Sequence, residues 1–136
     1  MIAMFVLLAL AQPAATVTPV AQGDMCGIDQ ARQLVVRDAA AWQELWKSAA
    51  PQKPLPSVAL ATRTILAIFA GSRPTSGYRV DVRRVRRDGA GLVVEYVELK
   101  PGPDTMTAQI LTAPFVIVQI PRFDGDIRFE RVDALP

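Results

Sequence analysis

Residues 64–82 read TILAIFAGSRPTSGYRVDV and carry two strand patterns separated by a turn-forming segment. Residues 64–69 are a continuous apolar run with β-branched members, which predicts a central strand buried on both faces. From Tyr78 onward, apolar and charged residues alternate, so we expect a strand with one buried and one solvated face. Residues 71–77 combine glycine, proline and small hydroxyl residues, which favours a stiff loop between the two strands.

The strand after this loop is predicted to turn back in a hairpin. Asp88-Gly89 favours the left-handed backbone of a tight turn, and an apolar run at residues 92–99 follows it. Before the turn, the consecutive arginines Arg83 and Arg84 interrupt the alternation, which predicts a β-bulge. These features indicate an antiparallel strand pair.

Further strand patterns follow towards the C-terminus. Residues 115–120 are apolar and largely β-branched, and Pro121 is expected to end their hydrogen-bonding ladder. Residues 127–132 form another strand pattern, while residues 105–112 are ambiguous, with a short strand favoured.

One helix is predicted upstream, after a short strand at residues 33–36. Asp38 is a good N-cap, and residues 39–49 (AAAWQELWKSA) are rich in helix-forming residues. Trp42, Leu45 and Trp46 have the spacing of one helix face, so we expect that face to pack on the sheet. The fold class predicted is α+β, a single domain with a twisted antiparallel β-sheet of about six strands and one helix packed on one face.

The N-terminus resembles a secretory signal. Residues 1–11 are apolar, too short for a membrane span of about 20 residues, and end in the small-residue pattern of a cleavage site. No lysine or arginine precedes this run, so a buried N-terminal strand or a misplaced start codon stays open as an alternative. We expect a signal peptide at 1–11, a linker at 12–30 and the folded domain at 31–136. The mature protein would then be periplasmic or extracellular, with no membrane association after cleavage.

Composition argues against most catalytic chemistry. The chain has 136 residues, no histidine and a single cysteine, Cys26. A histidine-based triad, a Cys–His dyad and a zinc finger are therefore excluded. The sequence also has no phosphate-binding glycine pattern and no serine with an evident base. We predict a protein that is not an enzyme and uses no cofactor and no metal.

Five of the basic residues lie close together between positions 79 and 87. Nucleic-acid binding would favour interleaved aromatic residues, and the expected export also argues against a nucleic-acid partner. A solvated strand face paired in part with Asp81, Glu95 or Glu98 is the favoured interpretation. The five residues are Arg79, Arg83, Arg84, Arg86 and Arg87.

The loop and its flanking strands resemble a known family. ILAIFAG at 65–71 followed by SRPTSGYRVDV at 72–82 is similar to the PrcB C-terminal domain family of protease complex subunits. KPGP at 100–103 and LTAPFVIV at 111–118 resemble the family's Pro-Gly turn and its Thr-x-Pro-aromatic strand. Ser76 departs from the family pattern, because a glycine is usual at that position. The resemblance implies association with a secreted protease and brings no catalytic residues with it.

Two other functions stay open. RPTSGY at 73–78 also resembles a loop of chagasin-type inhibitors of papain-like cysteine proteases, which implies an inhibitor acting through residues 73–78. An envelope structural or small-ligand module is the second alternative, and it would be indicated by an enclosed apolar pocket. Under the main prediction, a partner protein contacts a rigid loop, which loses little entropy on binding. The predicted binding residues are Arg73, Pro74, Thr75, Ser76, Gly77, Tyr78, Pro101, Gly102 and Pro103.

Overall fold

The apolar run at residues 64–69 lies in a strand at the middle of the molecule, as its composition predicts. In the computed structural model, which describes residues 15–133, this strand belongs to a four-stranded sheet that has a helix on one face and a second sheet on the other. The elements in chain order are β1 (Thr18–Gly23), β2 (Arg32–Val36), α1 (Ala39–Ala49), β3 (Arg63–Phe69), β4 (Arg79–Asp88), β5 (Gly91–Leu99), β6 (Phe115–Pro121) and β7 (Ile127–Arg131).

Strand β3 is buried on both faces because its alternate residues belong to two separate cores. Ile65 and Phe69 lie in the apolar cluster that includes the helix. Leu66 and Ile68 lie in the cluster that joins the two sheets. All four side chains are no more than 1% exposed. The predicted central strand is therefore confirmed, and its two apolar faces explain why the sheet has a layer on each side.

Helix α1 packs through the face that its spacing predicts. The Asp38 side chain accepts a 2.8 Å hydrogen bond from the Ala41 N–H and caps the first turn. Trp42 and Trp46 are buried, with their ring centroids 5.5 Å apart. Their indole N–H groups donate to backbone carbonyls in the segment after the helix, at 3.0 and 2.9 Å. The two tryptophans therefore hold both the helix and the chain that follows it.

The strands form two sheets, whereas the sequence predicted one antiparallel sheet of about six strands. The larger sheet has the order β1-β6-β3-β2 and is antiparallel throughout, and the smaller has the order β4-β5-β7. Strands β5 and β7 are parallel, because the chain crosses to the other sheet to form β6 before it returns. The α+β class is confirmed, but a single helix covers one face only, and the second sheet covers the other.

The predicted linker at residues 12–30 requires a correction. Residues 18–23 within it form β1, which pairs with β6 from Thr18↔Gln119 to Gly23↔Phe115. The composition TPVAQG contains proline and glycine and lacks clear alternation, so local pattern alone favours a linker. Strand β6 nevertheless has an open edge on that side, and β1 supplies its hydrogen-bonding partner. The predicted signal peptide at 1–11 lies outside the described residues.

The hairpin between β4 and β5 matches its prediction. Gly89 lies at the turn with a φ of +60°, the left-handed region expected for the Asp88-Gly89 pair. The strand register shifts between Val82 and Arg84, which confirms the bulge predicted at the consecutive arginines Arg83 and Arg84. No helix among residues 15–133 is both long enough and apolar enough to cross a membrane.

Candidate protein-binding site

The loop at residues 71–78 connects β3 to β4 and lies against the turn that follows β5. Gly77 has a φ of +95°, a conformation that residues with a side chain rarely adopt. A Cβ atom at this position would also lie only 2.8 Å from the Cβ of Pro101. Both the backbone conformation and the close approach of Pro101 therefore require glycine at position 77. Its missing side chain lets two of the predicted binding segments, residues 73–78 and 101–103, come into contact.

Backbone hydrogen bonds join the loop to the segment after β5. Arg73 and Thr112 exchange two of them, at 2.8 and 2.9 Å, and form an isolated β-bridge. The Ser76 N–H donates to the Ala108 carbonyl at 3.0 Å, and the Ala108 N–H donates to Ser76 Oγ at 2.7 Å. We call residues 71–78 together with residues 100–112 the two-loop surface.

Residues 105–112 form a loop. The short strand predicted there is therefore wrong, except for the single bridge between Arg73 and Thr112.

Ser76 has a specific role at the position where the resembling family usually has glycine. Its hydroxyl accepts the Ala108 N–H, which would otherwise need a water partner. Thr75 contributes through its carbonyl, which accepts the Thr112 hydroxyl at 2.9 Å. Thr75 and Ser76 thus fasten the loop to the neighbouring segment, and the departure from the family pattern is accommodated without positive φ at residue 76.

An ion pair holds the base of the loop. Arg73 donates through two nitrogens to both carboxylate oxygens of Glu98, with the second contact at 2.8 Å. The Glu98 side chain is 5% exposed and also lies 3.5 Å from an Arg131 nitrogen. Hydrogen bonding to Arg73 is the main cause of the lowered pKa of Glu98, with smaller contributions from the charges of Arg73, Arg131 and Lys100. Glu98 is therefore ionised in the folded protein at neutral pH.

The predicted site residues divide into a supporting group and an exposed group. The guanidinium carbon of Arg73 lies 6.0 Å from the centroid of the Tyr78 ring, and both side chains are half-buried. Both therefore position the loop more than they present a contact surface. Thr75, Ser76 and Pro101 are also half-buried, and the four exposed members are Pro74, Gly77, Gly102 and Pro103.

The segment at 105–112 supplies apolar residues that the sequence analysis did not assign to the site. The side chains of Met106, Ile110 and Leu111 are 98%, 51% and 73% exposed. An apolar group on a surface signals a contact when such residues lie together, and these three share one segment of the two-loop surface. The predicted short strand at residues 105–112 did not anticipate this exposed group, because a strand on a sheet buries about half of its side chains.

Three of the five arginines between positions 79 and 87 form ion pairs on strand β4, namely Arg79, Arg84 and Arg86. Arg84 forms an ion pair with Glu95, and Arg86 lies 3.3 Å from the Glu130 carboxylate. Hydrogen bonding to Arg84 is the main cause of the lowered pKa of Glu95. Arg79 lies 3.7 Å from Asp81. The predicted solvated and partly paired face is confirmed, with Glu98 paired on the opposite side of β5.

The chemical groups of the site favour binding. Within residues 15–133, no group of three histidine, cysteine, aspartate or glutamate side chains is placed to hold a metal ion. Cys26 is half-buried, and its thiol lies 3.4 Å from the Ile28 carbonyl. Burial is the main cause of the raised pKa of Cys26, and the charge of Asp29 adds to it, so the thiol is protonated near pH 7. These are features of a structural thiol.

Comparison with known proteins supports the predicted resemblance. Residues 64–121 match the model of the family described as PrcB C-terminal, which confirms the similarity inferred from the loop and strand motifs. The matched range runs from β3 to β6 and contains the whole two-loop surface. No match was found among curated proteins or among solved structures.

Proposed function

From the similarity of residues 64–121 to the PrcB C-terminal family, we propose that this chain is an exported, non-catalytic module that binds another protein. The family's name points to a role in a protease complex, so the proposed partner is a secreted protease that the chain accompanies as an accessory subunit. Because a family likeness alone transfers function weakly, the proposal depends on what the two-loop surface offers to a partner.

The observation that carries the proposal is the combination of stiffness and apolar exposure in the two-loop surface. The Arg73–Thr112 bridge and the Ser76–Ala108 hydrogen bonds hold the two segments together, so little conformational entropy remains to be lost on binding. Met106 and Leu111 project from this surface with most of their area in water. Transferring such side chains into a partner's apolar pocket is favourable at about 25 cal/mol per Å².

The experiment is affinity capture from the native host with substitutions on the two-loop surface. We expect the wild-type chain to recover a protease, and the single variants Met106→Asp and Leu111→Asp each to lose it, because each introduces one negative charge into the proposed contact. Ala40→Asp is the matched control, since it adds the same charge at an exposed position in the first turn of α1. Recovery of the wild-type chain alone, or equal capture by all variants, would contradict the proposal.

Export is part of the same proposal and has its own measurement. The apolar run at 1–11 supports it, because that run resembles a signal peptide. We expect fractionation of the native host to place the chain in the periplasm or the medium, with mass spectrometry giving a start near residue 12. A full-length chain in the cytoplasm would contradict this part.

The inhibitor alternative uses the same loop in a different way. A loop that plugs a protease cleft needs an exposed tip, and Pro74 and Gly77 are exposed at that position. Titration against papain-like cysteine proteases separates the two functions, since an accessory subunit leaves their activity unchanged. Loss of activity at stoichiometric amounts of the chain would favour the inhibitor, and the absence of inhibition at large excess excludes it.

A further inference from the structure

A second surface with binding character lies outside the two-loop surface. An open cleft of about 440 Å³ runs between the end of α1, strand β1 and the chain at residues 25–27. Most of its lining is apolar, and Trp46 and Phe115 are its aromatic members. Met25, Cys26 and Lys53 also line it.

This cleft forms part of a larger apolar region. A neighbouring groove, which includes the exposed Leu55, shares Trp46 and three further residues with the cleft. On the other side, the exposed Met25 lines the cleft, and the backbone carbonyl of the preceding Asp24 accepts a 2.7 Å hydrogen bond from the Ala113 N–H. That bond places the cleft beside the end of the two-loop surface.

Two of the exposed large apolar residues of the described chain, Met25 and Leu55, lie at this cleft and at the neighbouring groove. Exposed apolar residues that lie together on a surface indicate an interaction site, whereas single ones are common. The other three, Met106, Ile110 and Leu111, belong to the two-loop surface.

The charges at the cleft have one sign. Lys53 lines both the cleft and the neighbouring groove, and Lys47 lines the groove. Among the residues that the structure describes, no aspartate or glutamate lines either hollow, and no ion pair involves these two lysines. An occupant that pairs with them must bring its own carboxylates, because residues 15–133 supply none there.

We propose that the cleft binds an extended peptide segment of the partner protein, with a large apolar side chain next to one or two carboxylates. The apolar side chain would lie between Trp46 and Phe115, and the carboxylates would pair with Lys53 and Lys47. This inference rests on the proposed protein-binding function and adds a second contact to it. The same partner would then contact the two-loop surface and the cleft together.

Cys26 provides a reporter within the cleft. It is the one cysteine of the sequence and lines the cleft wall, so a bound peptide would shield it from alkylating reagents. Its raised pKa makes the reaction slow at neutral pH, and we would therefore measure it in mildly alkaline buffer with iodoacetamide, which is uncharged. Tryptophan fluorescence gives a second readout, because Trp46 also lines the cleft.

The test uses the full chain and three probes: a blocked Leu-Phe-Asp-Glu peptide, its Leu-Phe-Lys-Lys counterpart, and laurate as a lipid-like anion. We expect the acidic peptide at ten times its Kd to slow Cys26 alkylation about tenfold, and the basic peptide to give little protection. Lys53→Glu should weaken the binding of the acidic peptide. Arg87→Glu, which makes the same charge change at an exposed position with no ion pair among the described residues, should not.

Each other outcome overturns the inference. If both peptides protect Cys26 from alkylation equally, the lysines play no role in binding. If laurate alone protects Cys26, the cleft is a lipid site. If no probe protects Cys26, the cleft is not a binding site for any of them. Affinity capture separates this result from the proposed function. If Lys53→Glu retains the partner while Leu111→Asp loses it, the two-loop surface stands without the cleft; if the peptide binds but no partner is recovered, the cleft stands without the proposed complex.

Discussion

At the scale of single residues, Glu98 links β5 to the base of the two-loop surface. Its carboxylate accepts hydrogen bonds from Arg73 and lies close to Arg131 in a nearly buried position. Removing one partner of a buried ion pair leaves the other charge without compensation, which costs several kcal/mol in a fully buried pair. Arg73 is 25% exposed, so solvent reduces that cost here.

We expect Glu98→Gln to lower the free energy of unfolding by about 2 kcal/mol at pH 7, measured by urea denaturation. The pKa of Glu98 is lowered in the folded state, so its ionic contribution is present above the ordinary glutamate value of about 4.3. That contribution is lost as the pH falls through the lowered pKa, and the difference between variant and wild type should shrink there. Glu130→Gln, at a more exposed carboxylate, is the control, and an equal effect of both changes at pH 7 would contradict the prediction.

Sequence and structure agree unevenly at this scale. The motif around Pro74 and Gly77 could be located from composition, because those residue types have local backbone requirements. The pairing of Arg73 with Glu98 could not, because the two residues are separated by a complete strand and a hairpin. Distance along the chain carries no information about which of many arginines meets a given carboxylate.

At the scale of elements, α1 is the part of the fold whose local signals are most complete. Asp38 caps the first turn, and Trp42 and Trp46 bury one face. Both bounds of the helix, Ala39–Ala49, agree with the sequence prediction. Capping and periodicity act within a few residues, so a short stretch of sequence contains the information that determines them.

Loss of the helix cap should have a measurable and limited effect. We expect Asp38→Ala to destabilise the protein by about 1 kcal/mol, since the Ala41 N–H would lose its side-chain acceptor. Asp38→Asn keeps an acceptor oxygen and should stay within a few tenths of a kcal/mol of the wild type. Thermal denaturation followed by circular dichroism compares the three proteins, and a loss in the asparagine variant equal to that in the alanine variant would show that capping is not the cause.

At the scale of the whole molecule, β1 covers the edge of the four-stranded sheet that β6 would otherwise expose. It pairs along β6 although its sequence has the composition of a linker. Removing it would expose backbone donors and acceptors of β6 and part of the apolar cluster beneath, and an unprotected strand edge promotes aggregation.

We therefore expect a chain beginning at Asp24 to aggregate or lose cooperative unfolding, and a chain beginning at Gln12 to stay folded and monodisperse. Size-exclusion chromatography with circular dichroism measures both properties. The shorter deletion is the control for loss of the N-terminal apolar run alone. If the chain beginning at Asp24 unfolds with the same midpoint as the longer one, β1 contributes nothing and the linker prediction was adequate.

The amino-acid sequence alone determined the parts of this protein that depend on neighbours in the chain. These are the capped helix, the doubly buried strand β3, the β4–β5 hairpin with its bulge, and the stiff loop at 71–78. Each follows from residue spacing, propensity or a required backbone conformation, which act over a few residues.

Tertiary structure decided what depends on residues far apart in the chain. The division into two sheets, the pairing of β1 with β6 and the joining of residues 71–78 to residues 100–112 belong to this group. So does the exposure of Met106 and Leu111, because whether an apolar residue finds a covering partner depends on the packing of the entire chain. Both proposed binding surfaces arise at this level, since each brings together segments that no local pattern connects.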